Sequence, residues 1–496
     1  MIAFTAAEIA DITDGRLQAD PGIVPESVTT DSRDVTPGAL YVAKNGEHAD
    51  GHAFLGQALV AGATLAIVEH DVDPIDGVTV PCVVVTDAVL AMGALAAEAV
   101  RRIRVHRGAA GLDFTVIGIT GSAGKTTTKD LLAGILSATG STVAPQGSYN
   151  GEVGVPLTIF RADNDTQFLV IEMGATGIGH IRYLGEMVQP DIGVVLCVGS
   201  AHAGEFGGVQ NIAVAKGELV ESLSTAGTAI LNRDDQQVWA MASRTGARVL
   251  AFSAENSPAA DGGPTGDQRL VQALSVDTAP DGTPRFDLVF PADSETYPVA
   301  SQLIGRHHVT NLLAAAAAAF AVGIPAAEIA SSLSSQGPAS RWRMERTERA
   351  DGVTIINDAY NANPESMRAA LRTLADLGRG RRTWAVLGAM LELGEDSIRE
   401  HTAVGTQVVR LNISRLLVVG KAARSLYVSA VQEGSWGDEC IFAETMDEAQ
   451  EILARELVAG DLVLFKSSNS VGLRLLGDRI AALLPIHTEN DGSAQL

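Results

Sequence analysis

The sequence predicts an α/β protein of three domains, and three observations predict it. The 496 residues amount to about three ordinary domain lengths of ~150. Short apolar runs alternate with longer amphipathic stretches along most of the chain, the pattern of strand–helix units that build parallel sheets. A glycine-rich turn at residues 121–127 joins one such apolar run to an apolar-periodic helix. Hydrophobic residues make up 46% of the chain, enough for sizeable cores.

Residues 1–108 read as a small N-terminal α/β domain. Thr5-Ala6-Ala7-Glu8 has the form of a capping box and predicts a first helix. Residues 29–33 and 37–43 alternate turn chemistry with short strands, and a helical stretch follows Asp50-Gly51-His52 as far as Ala61. Ser32 and Arg33 could hydrogen-bond a substrate's base or phosphates, and a capped turn accounts for them equally well. His52 reads as a surface histidine rather than a ligand. The segment from Met1 to Asp14 lacks a basic stretch followed by a continuous apolar one, so no signal peptide is expected. The apolar run 312–324 is too short and too rich in alanine to span a bilayer. The expectation is a soluble, cytoplasmic protein.

Residues 109–338 read as a central domain with a mostly parallel sheet. Phe114, Val116, Ile117 and Ile119 mark a buried strand, and a helix begins by Leu131. Between them lies Gly121-Ser122-Ala123-Gly124-Lys125-Thr126-Thr127. Such a turn presents backbone N–H groups and the positive end of the helix dipole to an anion. Lys125 adds a cation for the outer phosphates, and the Thr126 hydroxyl suits Mg²⁺. Ile119 stands where the longer G-x-x-x-x-G-K-[ST] form would have glycine, so the loop is a shorter variant in a P-loop ATPase-like domain. Thr142 to Ala144 is a short strand, and residues 149–156 form a glycine-rich bend. The strand at 168–174 carries Glu172 at its tip, the edge where open α/β sheets hold ligands, which suggests a magnesium ligand. A further strand at 192–196 leads to His202, which by itself reads equally as ligand or as structural histidine. Lys216, on a following helix, would by itself be a solvated lysine. Residues 254–268 look like a surface insertion, three strands follow at 270–276, 286–290 and 297–304, and Gly305 to Asn311 leads into an alanine-rich helix.

Residues 331–340 form a Ser/Gly/Pro hinge, and 339–496 make the third domain. Strands at 353–356, 383–387, 416–419 and 462–465 alternate with helices, a Rossmann-like arrangement without the G-x-G-x-x-G fingerprint. The tail after Ile486 is polar and expected to be disordered. A net charge of −23 argues against non-specific nucleic-acid binding, which needs a basic footprint, while leaving room for a small anionic substrate. Cys82, Cys197 and Cys440 form no C-x-x-C pair, so neither a disulfide framework nor a zinc knuckle is expected.

The phosphate loop, Glu172, His202, Ala215-Lys216-Gly217-Glu218, Asn311 and Asp358-Ala359-Tyr360-Asn361-Ala362-Asn363-Pro364-Glu365-Ser366-Met367 occur in one order. Together they resemble the Mur ligases of peptidoglycan synthesis. The 358–367 stretch and Leu387-Gly388-Ala389-Met390-Leu391-Glu392-Leu393-Gly394 are similar to the MurF type, as are 30–33 and 50–52 near the start. The resemblance implies an ATP- and Mg²⁺-dependent amide ligase. Its substrates would be UDP-N-acetylmuramoyl-tripeptide and D-alanyl-D-alanine, with a monomer as the expected state. It implies ATP phosphates on residues 121–127, Thr126 and Glu172 on one Mg²⁺, and His202 with a carbamylated Lys216 on a second. Asn311 would contact adenine, and Arg343, or its neighbour Arg341, the nucleotide. Asp358, Tyr360, Asn361 and Asn363 would face the reaction centre, Ser32 and Arg33 the UDP end, and Asn150 the muramoyl-peptide. The chain departs from the family pattern at His308, Gly151 and Ala389, and at Lys466-Ser467-Ser468-Asn469, where an arginine is usual.

A free carboxylate is a poor electrophile, and an acyl phosphate made with ATP is a good one. Sister Mur ligases and folylpolyglutamate synthetase relatives share that chemistry, and the 358–367 stretch weighs against both. A P-loop switch module, which hydrolyses ATP without making a product, would leave Lys216 and the third-domain stretch unexplained.

Overall fold

The computed structural model describes residues 1–46, 49–75, 77–199, 203–254, 269–434 and 438–483. His202, nearly all of the 254–268 insertion and the tail after Ile486 lie outside the described residues. Three sheets organise the chain.

The first has five strands in the order Arg16–Gln18, Cys82–Val84, Leu65–Val68, Ala39–Val42, Ser27–Thr29, antiparallel at the first pair and parallel thereafter. The helix Ala6–Ile12 starts at the expected capping box: the Glu8 N–H donates to Thr5 Oγ1 (3.2 Å) and the Thr5 N–H to Glu8 Oε2 (2.8 Å). His52 is a strut rather than a surface side chain. Its Nδ1 meets Asp50 Oδ1 at 2.6 Å, and its Nε2 accepts the Glu69 N–H at 2.9 Å.

The helix Ala88–Ala109 is capped by Asp87 and carries the chain into the second sheet. It is shared between the two units: Ala96, Val100 and Ile103 join one apolar core with Val155, Ile159 and Met187, and Arg104 pairs with Asp191 at 3.0 Å. That second sheet has nine strands in the order Tyr297–Ala300, Pro284–Val289, Leu270–Thr278, Arg248–Ser253, Thr228–Asn232, Ile192–Val195, Thr115–Thr120, Phe168–Glu172, Thr142–Val143. From Thr142–Val143 as far as Leu270–Thr278 all neighbours are parallel; the last two pairings are antiparallel. Alanine-rich His308–Ala321 packs against one face, because small side chains let helix and sheet approach closely.

The third sheet has six strands in the order Glu345–Glu348, Thr354–Asn357, Leu462–Lys466, Thr383–Leu387, Arg415–Val419, Cys440–Ala443. Only the first pair is antiparallel. Six strands went unpredicted: Arg16–Gln18, Leu65–Val68 and Cys82–Val84 in the first sheet, Arg248–Ser253 in the second, and Glu345–Glu348 and Cys440–Ala443 in the third. The charged Glu345–Glu348 is an edge strand with no apolar alternation, and Cys440–Ala443 is also an edge.

Three local readings are corrected. The glycine-rich bend at 149–156 turns helical at Gly154–Ile159, where Pro156 sits in the first turn and needs no N–H partner. The helix Ala326–Ser335 consumes half of the expected hinge, leaving only 336–340 to connect the second and third units. The strand at 297–304 ends at Ala300. Among the described residues no helix is long and apolar enough to cross a membrane.

Candidate active site

The strand Thr115–Thr120 ends at the loop 121–124, and the helix Lys125–Ser137 begins immediately after it. Gly124, the helix N-cap, has φ +83°, and a Cβ there would stand 2.2 Å from Asn311 Oδ1. Glycine is therefore required twice over, for its left-handed backbone and for the close approach of Asn311. Lys125 Nζ donates back to the Gly121 carbonyl at 2.9 Å, folded over the loop that it would serve.

Glu172 closes the neighbouring strand and is only 1% exposed. Parallel pairing of Ile119 with Glu172 sets this carboxylate beside the loop. The Thr126 hydroxyl donates to Glu172 Oε2 at 2.9 Å, and Asn150 Nδ2 to Glu172 Oε1 at 2.7 Å. Ser148 Oγ lies 2.6 Å from Thr126 Oγ1. Arg343 Nη2, from the chain beyond the 336–340 connection, donates to both hydroxyls at 2.9 and 3.0 Å. Trp342 and Met344 on either side of Arg343 have φ of +59° and +52°. That double left-handed kink aims the guanidinium inward and is the kind of strain found where geometry serves a site.

Lys216 is 5% exposed on the helix Val209–Glu221. Burial, and then the nearby Lys125 ammonium, push its pKa down to about 7. Burial also lowers Lys125, with Glu172 acting against it. Two amines held together in a dry recess call for an anion between them.

The third unit supplies the opposite wall. Thr354–Asn357 and Leu462–Lys466 run parallel, with Asn357 opposite Phe465, so Asp358 and Lys466 emerge side by side. Lys466 Nζ meets Asp358 Oδ2 at 2.5 Å and also donates to the Asn361 carbonyl at 3.1 Å. Asn363 caps the helix Pro364–Leu377 and reaches across to donate to the Ser122 carbonyl at 3.2 Å. These walls enclose a cleft of about 1200 Å³.

Of the residues singled out in the sequence, this cleft brings together 121–127, Asn150, Glu172, Lys216, Asn311, Arg343, Asp358, Tyr360, Asn361 and Asn363. His202 lies outside the described residues. Arg341 turns away from the cleft to pair with Asp478 at 3.0 Å, while Arg343 enters it, with its guanidinium 4.5 Å from the Tyr360 ring centre. Ser32 and Arg33 line no part of this cleft: Ser32 bonds Gln57 (3.2 Å), and Arg33 grips Asp31, whose carboxyl it holds down at about 2.

Family models match most of the chain: a Mur ligase family catalytic domain at residues 26–112, a Mur ligase middle domain at 119–319 and a Mur ligase glutamate ligase domain at 342–469. The chain belongs to the Mur ligase family. The UDP-N-acetylmuramoyl-tripeptide–D-alanyl-D-alanine ligase of Mycobacterium tuberculosis is 41% identical, with 97% of this chain and 98% of that protein aligned. The Escherichia coli protein of the same name is 34% identical over 86% and 88%. Among solved structures, MurF from Acinetobacter baumannii superposes with a TM-score of 0.82 at 29% identity, covering 97% and 99%. MurF ligase from Thermotoga maritima in complex with ADP gives 0.74 at 26% identity, covering 92% and 97%. This Mur ligase shares with those MurF structures the three-domain α/β fold.

Among the cleft residues of this Mur ligase that were given no role in the sequence are Ser148, His307, Lys466 and Arg474. Lys466, at a strand tip like Glu172, carried a signal of position. Ser148 carried none, because an isolated serine just before a glycine-rich bend reads as turn chemistry. Among the described residues one cluster has metal-ligand spacing, Asp50, His52 and His70. Both His52 nitrogens already hold protein partners, so the cluster reads as a structural tie.

Proposed function

We infer that this chain is an ATP-dependent ligase of the MurF type, joining D-alanyl-D-alanine to UDP-N-acetylmuramoyl-tripeptide in the cytoplasm. The observation that carries the reading is the convergence of two unlike walls on one cleft. A phosphate loop from the second sheet faces the 358–363 loop of the third, with Arg343 and Asn363 bonded across. The whole-length relatives of that name support the same activity.

The reaction needs the tripeptide carboxylate made electrophilic. Its oxygen attacks the γ-phosphorus of ATP and ADP departs, leaving an acyl phosphate. The dipeptide amine then attacks the carbonyl carbon and loses a proton, and phosphate leaves with the former carboxylate oxygen. The chain's part is positioning and charge. The N–H groups of the phosphate loop receive the phosphates, and Lys125, released from the Gly121 carbonyl, adds its charge. Arg343 brings a second cation from the third unit, so that charge is completed only when the walls meet. Water excluded from the closed cleft cannot hydrolyse the acyl phosphate.

Magnesium fits the donors at the strand tip. Thr126 and Glu172 offer only oxygen, which a hard divalent cation prefers. They would hold one ion, and His202 with a carbamylated Lys216 a second. Bound there, the ions would neutralise charge on the transferring phosphoryl group. Lys216 suits carbamylation because a pKa of about 7 leaves much of its amine neutral, and the neutral amine adds CO₂ with loss of a proton. The uridine end would fall to the first unit, where Ser32 and Arg33 lie; Asp358, Tyr360, Asn361 and Asn363 would serve the reaction centre, and Asn311 the adenine.

The test is phosphate release measured with ATP, UDP-N-acetylmuramoyl-tripeptide and D-alanyl-D-alanine together, and with each omitted. Release should require all three and match amide formation. Brisk ATP hydrolysis with neither co-substrate present would favour a switch module instead.

A further inference from the structure

We propose that Arg474 is the group that binds the C-terminal carboxylate of the incoming dipeptide, and so selects an acid over a neutral peptide. The inference rests on the ligase reading. That reading requires a zwitterionic dipeptide to present its amine to the acyl phosphate while its carboxylate is held elsewhere.

The cations of the cleft are Lys125, Lys216, Arg343, Lys466 and Arg474. The first two belong to the recess around the phosphate loop. Arg343 is turned into that recess by its bonds to Thr126 and Ser148. Lys466, on the third-unit wall, is neutralised by Asp358 and bonded to the Asp358 and Asn361 carbonyls. Arg474 alone stands on that wall with no carboxylate partner among the described residues, in a protein whose net charge is −23.

Its guanidinium is nevertheless held in place. Nη1 donates to the Asn469 carbonyl at 2.5 Å, and the guanidinium carbon lies 5.2 Å from the centre of the Trp342 ring. The indole is anchored in turn, because its Nε1 donates to Asp478 Oδ2 at 3.0 Å. Asn357 Nδ2 bonds the Arg474 carbonyl at 2.9 Å, fixing the backbone from which the side chain springs. An oriented planar fork with N–H groups left over matches a carboxylate in two-point fashion, and the prior ordering reduces the entropy lost on binding. An extended dipeptide separates amine from carboxylate by about 7 Å, enough for one end to sit on this wall while the other faces the cleft's centre.

The experiment compares D-alanyl-D-alanine with D-alanyl-D-alaninamide as acceptors for the wild type, Arg474→Gln and Arg474→Lys, measuring KM and kcat for each substrate. The wild type should use the amide about 100-fold less well, through KM. Arg474→Gln should raise the dipeptide KM by a similar factor, leave the KM for ATP and for the UDP-tripeptide unchanged, and no longer distinguish acid from amide. Arg474→Lys, which keeps the charge without the fork, should fall between. Equal use of acid and amide by the wild type overturns the assignment without recourse to any variant, as does a variant whose ATP KM rises instead. A wild type that ligates neither acceptor overturns the ligase reading, and this assignment with it.

Discussion

At the scale of single residues, Lys216 is where chemistry and environment meet most sharply. An ammonium cannot ligate a metal, since it has donors and no lone pair. Burial beside Lys125 brings the pKa to about 7, so the neutral amine is accessible near physiological pH. Lys216→Ala should therefore be inactive, and a small carboxylate such as acetate should restore part of the activity by filling the place that a carbamate on Lys216 would take. Full activity of the unrescued variant would remove Lys216 from the chemistry. The local part of this site was legible in the sequence. Residues 121–127 follow a strand and open a helix, and Glu172 ends the neighbouring strand, so one-dimensional periodicity locates both. Partnerships made across the fold were not. Ser148 meets Thr126 from 22 positions away, and Lys466 meets Asp358 from 108, and no local pattern encodes either. Arg343 could not be told from Arg341 until the kink at Trp342 and Met344 showed which of the two enters the cleft.

At the scale of elements, pairing between strands builds the third-unit wall. Because Asn357 lies opposite Phe465, the next residues of each strand, Asp358 and Lys466, form an ion pair with the lysine side chain 3% exposed. Asp358→Ala should impair ligation and also destabilise the third unit by about 3–5 kcal/mol, since it strands a buried ammonium. Asp358→Asn, which keeps an acceptor, should retain most of the stability while ligation still falls; nucleotide affinity measured by calorimetry should survive in both. A second element effect concerns the start of the helix His308–Ala321. His307 and His308 have ring centres 4.2 Å apart, and burial lowers His307 to about 4 and His308 well below its usual value. The unfolded chain binds a proton near pH 6.5 that the native His307 accepts only near 4. Stability is thus complete above 6.5 and lost as the pH falls through that window, on the order of 2 kcal/mol by pH 5 from His307 alone. Denaturant midpoints at pH 7.5 and 5 should show this loss, and His308→Asn should shrink it; equal losses in the two proteins would contradict the account. The long parallel strands were legible because their apolar runs are continuous. Glu345–Glu348 was not, being a charged edge, and 331–335 misled because serine suits helix ends and loops alike.

At the scale of the whole molecule, the three units are joined unequally. The first and second share an apolar core and the Arg104–Asp191 pair, and Gly93 leaves just enough room for Tyr183, whose hydroxyl a Cβ would meet at 2.1 Å. The third is tethered by residues 336–340; apart from Ile304, which packs into its apolar core, it touches the second through polar contacts, among them Asn363 to Ser122 at 3.2 Å and Arg343 to Thr126 at 2.9 Å. Such contacts exchange readily with water, so the third unit should move while the first two travel together, a hinge closure around ligands. Small-angle scattering should show compaction on adding an ATP analogue with the UDP-tripeptide, and identical profiles at saturation would contradict it. The sequence exposed the three-part plan, since each sheet has its own run of strands, but not the shared core, which depends on one face of Ala88–Ala109 meeting a distant helix. The central claim is that the cleft makes an amide through an acyl phosphate. Its most direct test supplies UDP-N-acetylmuramoyl-tripeptide labelled with ¹⁸O in the acceptor carboxylate, together with ATP and D-alanyl-D-alanine, and weighs the phosphate released. One labelled oxygen in each phosphate, matched to amide formed, is the predicted result; unlabelled phosphate alongside amide product would contradict it.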